Sequence, residues 1–250
     1  MNSAALAIPF AALAVISAFE PSTTSAAANS TCKAGTVIAL DQDTARSWAA
    51  DAGSKGVDVR SRPAPRAKLT SHIAGHTDIG VVSVFRVIAK RVDRQCRGTW
   101  WRVQLPVRPN GSTGWVAANQ LRPPTPVRHR IEIDLSAHRL TLRYRGRQVM
   151  RAAVGVGAAQ TRTPSLDTYV REILLSTNAK GAYGPGALAL AAHAPTLTDW
   201  ARGGLIGIHG TNEPRSVGRD VSHGCIRVTN PTILRLLRTV PAGTPVRIVP

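Results

Sequence analysis

Acidic residues are scarce in this 250-residue chain: 14 Asp and Glu stand against 32 Lys and Arg, a formal net charge of +18. Such an excess favours polyanionic partners. Motifs for reading nucleic acid are also absent, since no helix-turn-helix or zinc-finger pattern occurs and no basic stripe alternates with aromatics. No nucleic-acid partner is therefore expected, and anionic polymers or membrane surfaces outside the cytoplasm are the candidates. A genome-wide preference for arginine over lysine accounts for the Arg/Lys ratio but not for the whole excess. Beyond the first 19 residues no segment approaches the roughly 18 continuous apolar residues of a membrane span, so no transmembrane partner is implied. Cysteines number only three, an odd count.

What is present begins with the apolar run MNSAALAIPFAALAVISAF, followed by small and hydroxyl residues containing Ala-x-Ala-like sites. Residues 1–30 read as a secretory signal, and the protein as exported to the periplasm, cell wall or beyond. No Lys or Arg precedes the apolar run, and an uncleaved N-terminal anchor is the alternative. In an exported protein three cysteines imply one disulfide and one free thiol, which pairs Cys32 with Cys96 and leaves Cys225. Three inert thiols are the other reading. Residues 31–56 receive no assignment.

From 57 to 121, short β-type runs alternate with Gly, Pro and Asn, the pattern of a small all-β domain. VRSRP lies near its start, Gly75 in the middle, Trp100 and Trp101 before a strand, and Gly114, Trp115 and Val116 near its end. On these marks the stretch resembles a bacterial SH3 domain, and the resemblance implies a wall-peptide binder. The alternative for Trp100 and Trp115 is a place in the barrel core. RPPTPVRHR, residues 122–130, reads as a stiff linker. Residues 131–250 are again mainly β. One short helix is predicted near their end, with Asn230 as its cap, Pro231 in its first position, and Ile233, Leu234, Leu236 and Leu237 as its buried face.

Chemistry concentrates in SHGCIR, Ser222 to Arg227, with IHG at Ile208 to Gly210 upstream. A cysteine attacks acyl groups as thiolate, and a neighbouring imidazole can take its proton and return it later. Cys225 is thus the candidate nucleophile. His209, at the end of the apolar strand LIGIH, is the candidate base, with the Gly210 carbonyl able to orient its ring. His223 takes a supporting role. The backbone amides of Gly224, Cys225 and Gly210 are candidate oxyanion donors. Arg227 shares a strand face with Cys225 and could pair with a substrate carboxylate.

IHGT at Ile208 to Thr211, SHGCIRVTN at Ser222 to Asn230, GAYGPGALAL at Gly181 to Leu190 and GTPVRI at Gly243 to Ile248 make residues 130 to 250 resemble the L,D-transpeptidases of bacterial walls. The resemblance implies a mainly β chain, with the SH3-like barrel followed by a β-sandwich-type catalytic domain ending in one short helix. It implies peptidoglycan stem peptides as substrate, with Ser222, Tyr183 and Arg227 touching them, and no metal or organic cofactor. It also implies that Cys225 releases D-alanine from a tetrapeptide stem, that a side-chain amine of another stem captures the acyl group in a 3→3 cross-link, and that carbapenems acylate the same cysteine. Thr163-Pro164-Ser165-Leu166 lacks the family's usual glycine, and Arg227 stands where many members have Asn.

Other readings are an L,D-carboxypeptidase, a wall-binding protein without activity, and a zinc site formed by His209, His223 and Cys225. A papain-like endopeptidase is excluded by residue order, because its cysteine precedes its histidine and no histidine follows Cys225. A sortase would need a Thr-x-Thr-Cys approach, which SHGC does not supply.

Overall fold

Alternation of apolar and polar residues drives the first half of the chain into strands. In the computed structural model, which describes residues 31–40, 45–199 and 201–250, Val57 and Val59 are fully buried while Asp58 and Arg60 reach solvent. The segment expected to be a secretory signal lies outside the described residues. The first sheet comprises Val37–Ala39 (β1), Ser47–Asp51 (β2), Val57–Arg60 (β3), Leu69–Ile73 (β4), Val84–Val92 (β5), Gly98–Gln104 (β6), Thr113–Ala117 (β7) and Thr125–Val127 (β8). Its order is β4-β3-β7-β6-β5-β2-β8, with β1 added against β5. Val57, Val59, Phe85, Val87, Val103 and Val116 form its core. Trp100 and Trp115 pack with Ala89 in a separate small cluster.

Two sequence expectations change here. Residues 31–56, which carried no assignment, supply β1 and β2, and Cys32 forms a disulfide with Cys96 that ties the N-terminal end to the turn after β5. Residues 122–130 are not a free linker. Thr125–Val127 pairs with β2 as an edge strand, where Pro126 forfeits no interior ladder bond, and the next strand begins at His129.

The second half contains His129–Asp134 (β9), Arg139–Tyr144 (β10), Arg147–Ala153 (β11), Val156–Gly157 (β12), Leu166–Leu175 (β13), Gly186–His193 (β14), Leu205–His209 (β15), Asp220–Ser222 (β16), Ile226–Arg227 (β17) and Pro245–Val249 (β18). Eight of them form a sheet in the order β11-β10-β9-β18-β13-β14-β15-β17, while β12 and β16 pair in parallel. β13 pairs with β18 over its first four residues, Leu166 to Tyr169, and with β14 from Val170 onward, with an irregularity between Val170 and Glu172. That change lets both halves of the sheet share one core, which holds Ile131 and Leu140 from one half and Leu188, Leu190 and Ile208 from the other. β14 is buried along its length except at His193, as expected of a strand covered on both faces.

The predicted helix, Asn230–Thr239 (α1), is present, but its cap is Thr229 rather than Asn230. Thr229 has extended backbone and its hydroxyl bonds that of Thr232 at 2.9 Å. The Asn230 side chain instead accepts the Thr211 amide at 2.8 Å, joining the helix start to the chain just beyond β15. Ile233 and Leu236 are fully buried, Leu237 is partly buried, and Leu234 is exposed. Positions 233, 236 and 237 lie on one helical face, and 234 rotates off it.

Denatured without reductant, the chain is expected to show one titratable thiol, rising to three after reduction. Replacing both Cys32 and Cys96 with serine should lower denaturant stability by about 2–4 kcal/mol, because the bond closes a long loop in the unfolded chain. Three thiols before reduction would show that the bond does not form.

Candidate active site

β15 ends on His209, and β17 lies beside it in parallel, with Ile208 opposite Ile226 and His209 opposite Arg227. A parallel neighbour needs a long connection, here residues 210–225, and Cys225 arrives as its last residue. His209 is only 5% exposed. Its Nδ1 lies 2.5 Å from the Gly210 carbonyl, which can only accept, so Nδ1 carries the hydrogen and Nε2 keeps its lone pair. The Tyr183 ring tilts against the imidazole with centroids 4.7 Å apart. Burial lowers the His209 pKa to about 4; the Arg227 charge acts in the same direction, and the Gly210 bond opposes both.

Cys225 is half-buried, and its sulfur lies 3.8 Å from the Leu205 carbonyl. Burial pushes its pKa up, while the Gly207 amide and Arg227 pull the other way. Near neutral pH thiol and imidazole are therefore both uncharged. Burial, against the Arg227 charge, also holds the Tyr183 proton on its hydroxyl, where it remains a donor. Two cavities meet here, one of about 150 Å³ and one of about 410 Å³. Tyr183, Leu205, His209 and Cys225 line both.

The loop that delivers Cys225 is pinned at three carbonyls, those of Ser222, Gly224 and Cys225. Thr161 donates its hydroxyl to Ser222 O and Thr163 donates to Gly224 O, each at 2.9 Å. The Ser222 hydroxyl donates to Cys225 O at 2.6 Å and accepts from the Gly224 amide at 3.1 Å. Gly224 has φ +110°, a conformation that L side chains rarely adopt, so glycine is required at the turn before the cysteine.

These contacts revise several sequence expectations. Ser222 is buried and braces the loop, although it also forms part of the wall of the smaller cavity. The Gly224 amide is occupied by the Ser222 hydroxyl, and the Gly210 amide bonds Gly186 O at 3.3 Å. Neither is free in this structure to receive an oxyanion. Arg227 lines the smaller cavity but its Nη1 is paired with Glu213 at 2.7 Å, and its buried Nε has no partner. His223 is exposed and lines the same cavity. Among the described residues no three His, Cys, Asp or Glu side chains converge to hold a metal, so the zinc reading of His209, His223 and Cys225 has no geometric support. Thr161, Thr163, Glu213 and the Asn230 clasp were not found from sequence as parts of the site.

Because the unfolded chain protonates His209 near pH 6.5 and the folded protein only near pH 4, stability is retained above the higher value and falls between the two. Between about pH 7 and about pH 4.5 the wild type should lose roughly 2 kcal/mol more unfolding free energy than His209→Gln. Equal losses in urea titrations would show that the imidazole is not held neutral by burial.

The model of the L,D-transpeptidase catalytic domain family, YkuD, matches residues 128–248. The protein called "Putative L,D-transpeptidase YkuD" in Bacillus licheniformis is 34% identical over 152 residues, covering 58% of this chain and 84% of the relative. Its counterpart of the same name in Bacillus subtilis is 34% identical over 125 residues, covering 50% and 68%. Among solved structures, an L,D-transpeptidase from Mycobacterium smegmatis aligns with 67% of this chain and 91% of its own, at 15% identity and a TM-score of 0.40. Cys225 and His209 sit within the region that the family model matches, and with these relatives the chain belongs to the L,D-transpeptidase catalytic domain family.

Proposed function

We propose that the protein is a peptidoglycan L,D-transpeptidase in which Cys225 is the nucleophile and His209 the base. The observation that carries this reading is the His209 tautomer. With Nδ1–H held on the Gly210 carbonyl, Nε2 is the basic nitrogen of a ring that shares both cavities with the Cys225 sulfur. The raised thiol pKa means that the thiolate forms as the substrate is attacked rather than beforehand.

In the first half-reaction the Cys225 proton passes to His209 Nε2 as sulfur attacks the carbonyl joining the L-centre of a dibasic residue to the terminal D-alanine. The imidazolium then protonates the leaving amine, D-alanine departs, and a thioester remains. In the second, His209 takes a proton from the side-chain amine of another stem as that amine displaces sulfur, and returns it to the departing thiolate, giving the 3→3 cross-link. Water in the amine's place would give carboxypeptidase trimming. Two cavities meeting at one sulfur suit two successive acyl partners. With the Gly210 and Gly224 amides occupied, the Cys225 amide is the oxyanion donor in this reading. Arg227 would receive a substrate carboxylate by exchanging it for that of Glu213. No metal or organic cofactor is required.

Action outside the cytoplasm is part of the proposal, supported by the Cys32–Cys96 disulfide, which suits an oxidising compartment. So is a wall-binding role for the N-terminal sheet as a bacterial SH3-like unit, supported by its short antiparallel strands and by the net charge of +18.

Intact-mass spectrometry after incubation with a carbapenem should show one adduct on the wild type and none on Cys225→Ala. His209→Gln, which keeps the sulfur, should acylate about 100-fold more slowly or worse. With a tetrapeptide stem, the wild type should release D-alanine and form a dimer. No adduct on the wild type, or the same adduct on Cys225→Ala, would sink the assignment.

A further inference from the structure

One loop between β14 and β15, residues 194–204 with residue 200 outside the described ones, contributes to the walls of both cavities at the Cys225 sulfur. Leu197 and Gly204 line the smaller cavity, Arg202 the larger, and Leu205, where the loop enters β15, lines both. The loop is closed at its neck by the Ala194 amide donating to the Gly204 carbonyl at 2.8 Å. Its returning limb is not intrinsically favourable. Arg202, Gly203 and Gly204 all have left-handed backbone, with φ of 55°, 67° and 70°. A residue with a side chain rarely adopts that conformation, so Arg202 needs support from elsewhere.

Much of that support comes from the first sheet. Arg108, in the connection between β6 and β7, donates from Nη2 to both Ala194 O and Gly203 O, each at 2.9 Å, and so spans the neck. Asn110, two residues on, pairs with the His193 backbone in both directions. Its Nδ2 donates to His193 O at 2.8 Å and its Oδ1 accepts from His193 N at 2.9 Å. Asp78, between β4 and β5, accepts from Arg202 Nε at 2.8 Å and also from its Nη2. The same guanidinium reaches the fully buried Glu172 of β13 at 2.9 Å, and Arg171 also pairs with Glu172. Arg202 thus links the first sheet to the second at the cavity wall.

We propose that Arg108, Asn110 and Asp78 are positioning residues for the reaction at Cys225: through them the first sheet fixes the loop 194–204 and so sets the space that the stem peptide enters. The substrate named here rests on the proposed function, whereas the clasp itself rests on geometry alone. None of the three residues belongs to a hydrophobic core, and their bonds are to backbone or to Arg202. Losing one should therefore release the loop locally rather than unfold the protein. A released loop must be reordered by the substrate, which raises KM rather than lowering kcat.

The test uses the full chain carrying Arg108→Ala, Asn110→Ala or Asn110→Asp, with Arg108→Lys as the conservative variant. Amide hydrogen exchange within 194–204 should accelerate by about tenfold in the two alanine variants, with the β9–β10 amides unchanged. Labelling of Cys225 by a bulky maleimide relative to iodoacetamide should rise at least about threefold, since the walls no longer restrict the larger reagent. KM for a stem tetrapeptide should rise about fivefold with kcat within about twofold. Asn110→Asp, which keeps the acceptor and loses the donor, should behave like the alanine variant, and Arg108→Lys should recover much of the effect. Wild-type exchange in 194–204 together with a wild-type labelling ratio would overturn the proposal. So would acceleration spread evenly over the chain, which would mark these residues as general stabilisers. Should the wild type fail to turn over the stem peptide, the functional reading fails, while the exchange and labelling ratios still decide the role of the clasp.

Discussion

Everything about this site depends on the parallel pairing of Leu205–His209 with Ile226–Arg227. Parallel neighbours cannot be joined by a tight turn, so a connection of sixteen residues, 210–225, has to leave one strand and return to the start of the next. The protein uses this requirement to place a histidine at the end of one strand and a cysteine at the entry of the other. The connection is then held by side chains from outside it. Thr161 and Thr163 take two of its carbonyls, and Asn230 takes the Thr211 amide. Gly184 and Gly210 accommodate the Asn230 amide oxygen, since a Cβ at either would lie within 2.4 Å of it.

Electrostatics at the site follow from burial more than from charge. A net charge of +18 by itself favours a thiolate, yet desolvation outweighs Arg227 and leaves the thiol protonated. For the imidazole, desolvation and Arg227 act together and keep the ring neutral. The result is an uncharged thiol and an uncharged imidazole, the tautomer of the ring already set by a backbone oxygen. Arg227 is itself moderated by Glu213, so the cavity does not present an unpaired guanidinium to every passing anion.

The two sheets are not independent beads on a string. The stretch 122–130 is divided between β8 and β9, and Gln104 donates to Asp167 O at 2.7 Å near the place where β13 changes partner. The first sheet therefore contacts the second at its bend and again at the loop that walls the cavities. A unit that resembles a wall-binding module in sequence has, in space, a second relation to the chemistry.

How much of this was legible in the sequence differs residue by residue. Cys225, His209 and the Gly210 carbonyl could be read because they are local: a strand ending in histidine, a glycine after it, and an S-H-G-C turn each express their geometry within a few residues. The helix was legible from its apolar spacing, but its cap was not. Asn230 and Thr229 are both good capping residues, and the choice was made by Thr211, an atom that only the folded chain brings near. The same reason removed Gly224 and Gly210 as oxyanion donors, because free and occupied amides look identical in a sequence. Strand β8 was hidden by Pro126 and the two prolines just before the strand, which suit an edge as well as a linker. The sequence by itself determined which chemical groups are present and that they fall at strand ends and turns, since side-chain period and glycine content are local properties. Only the tertiary structure decided which donors and acceptors are already paired, and that the walls of the site are fastened by the other sheet, because pairing depends on atoms that meet across 60 or more positions of chain.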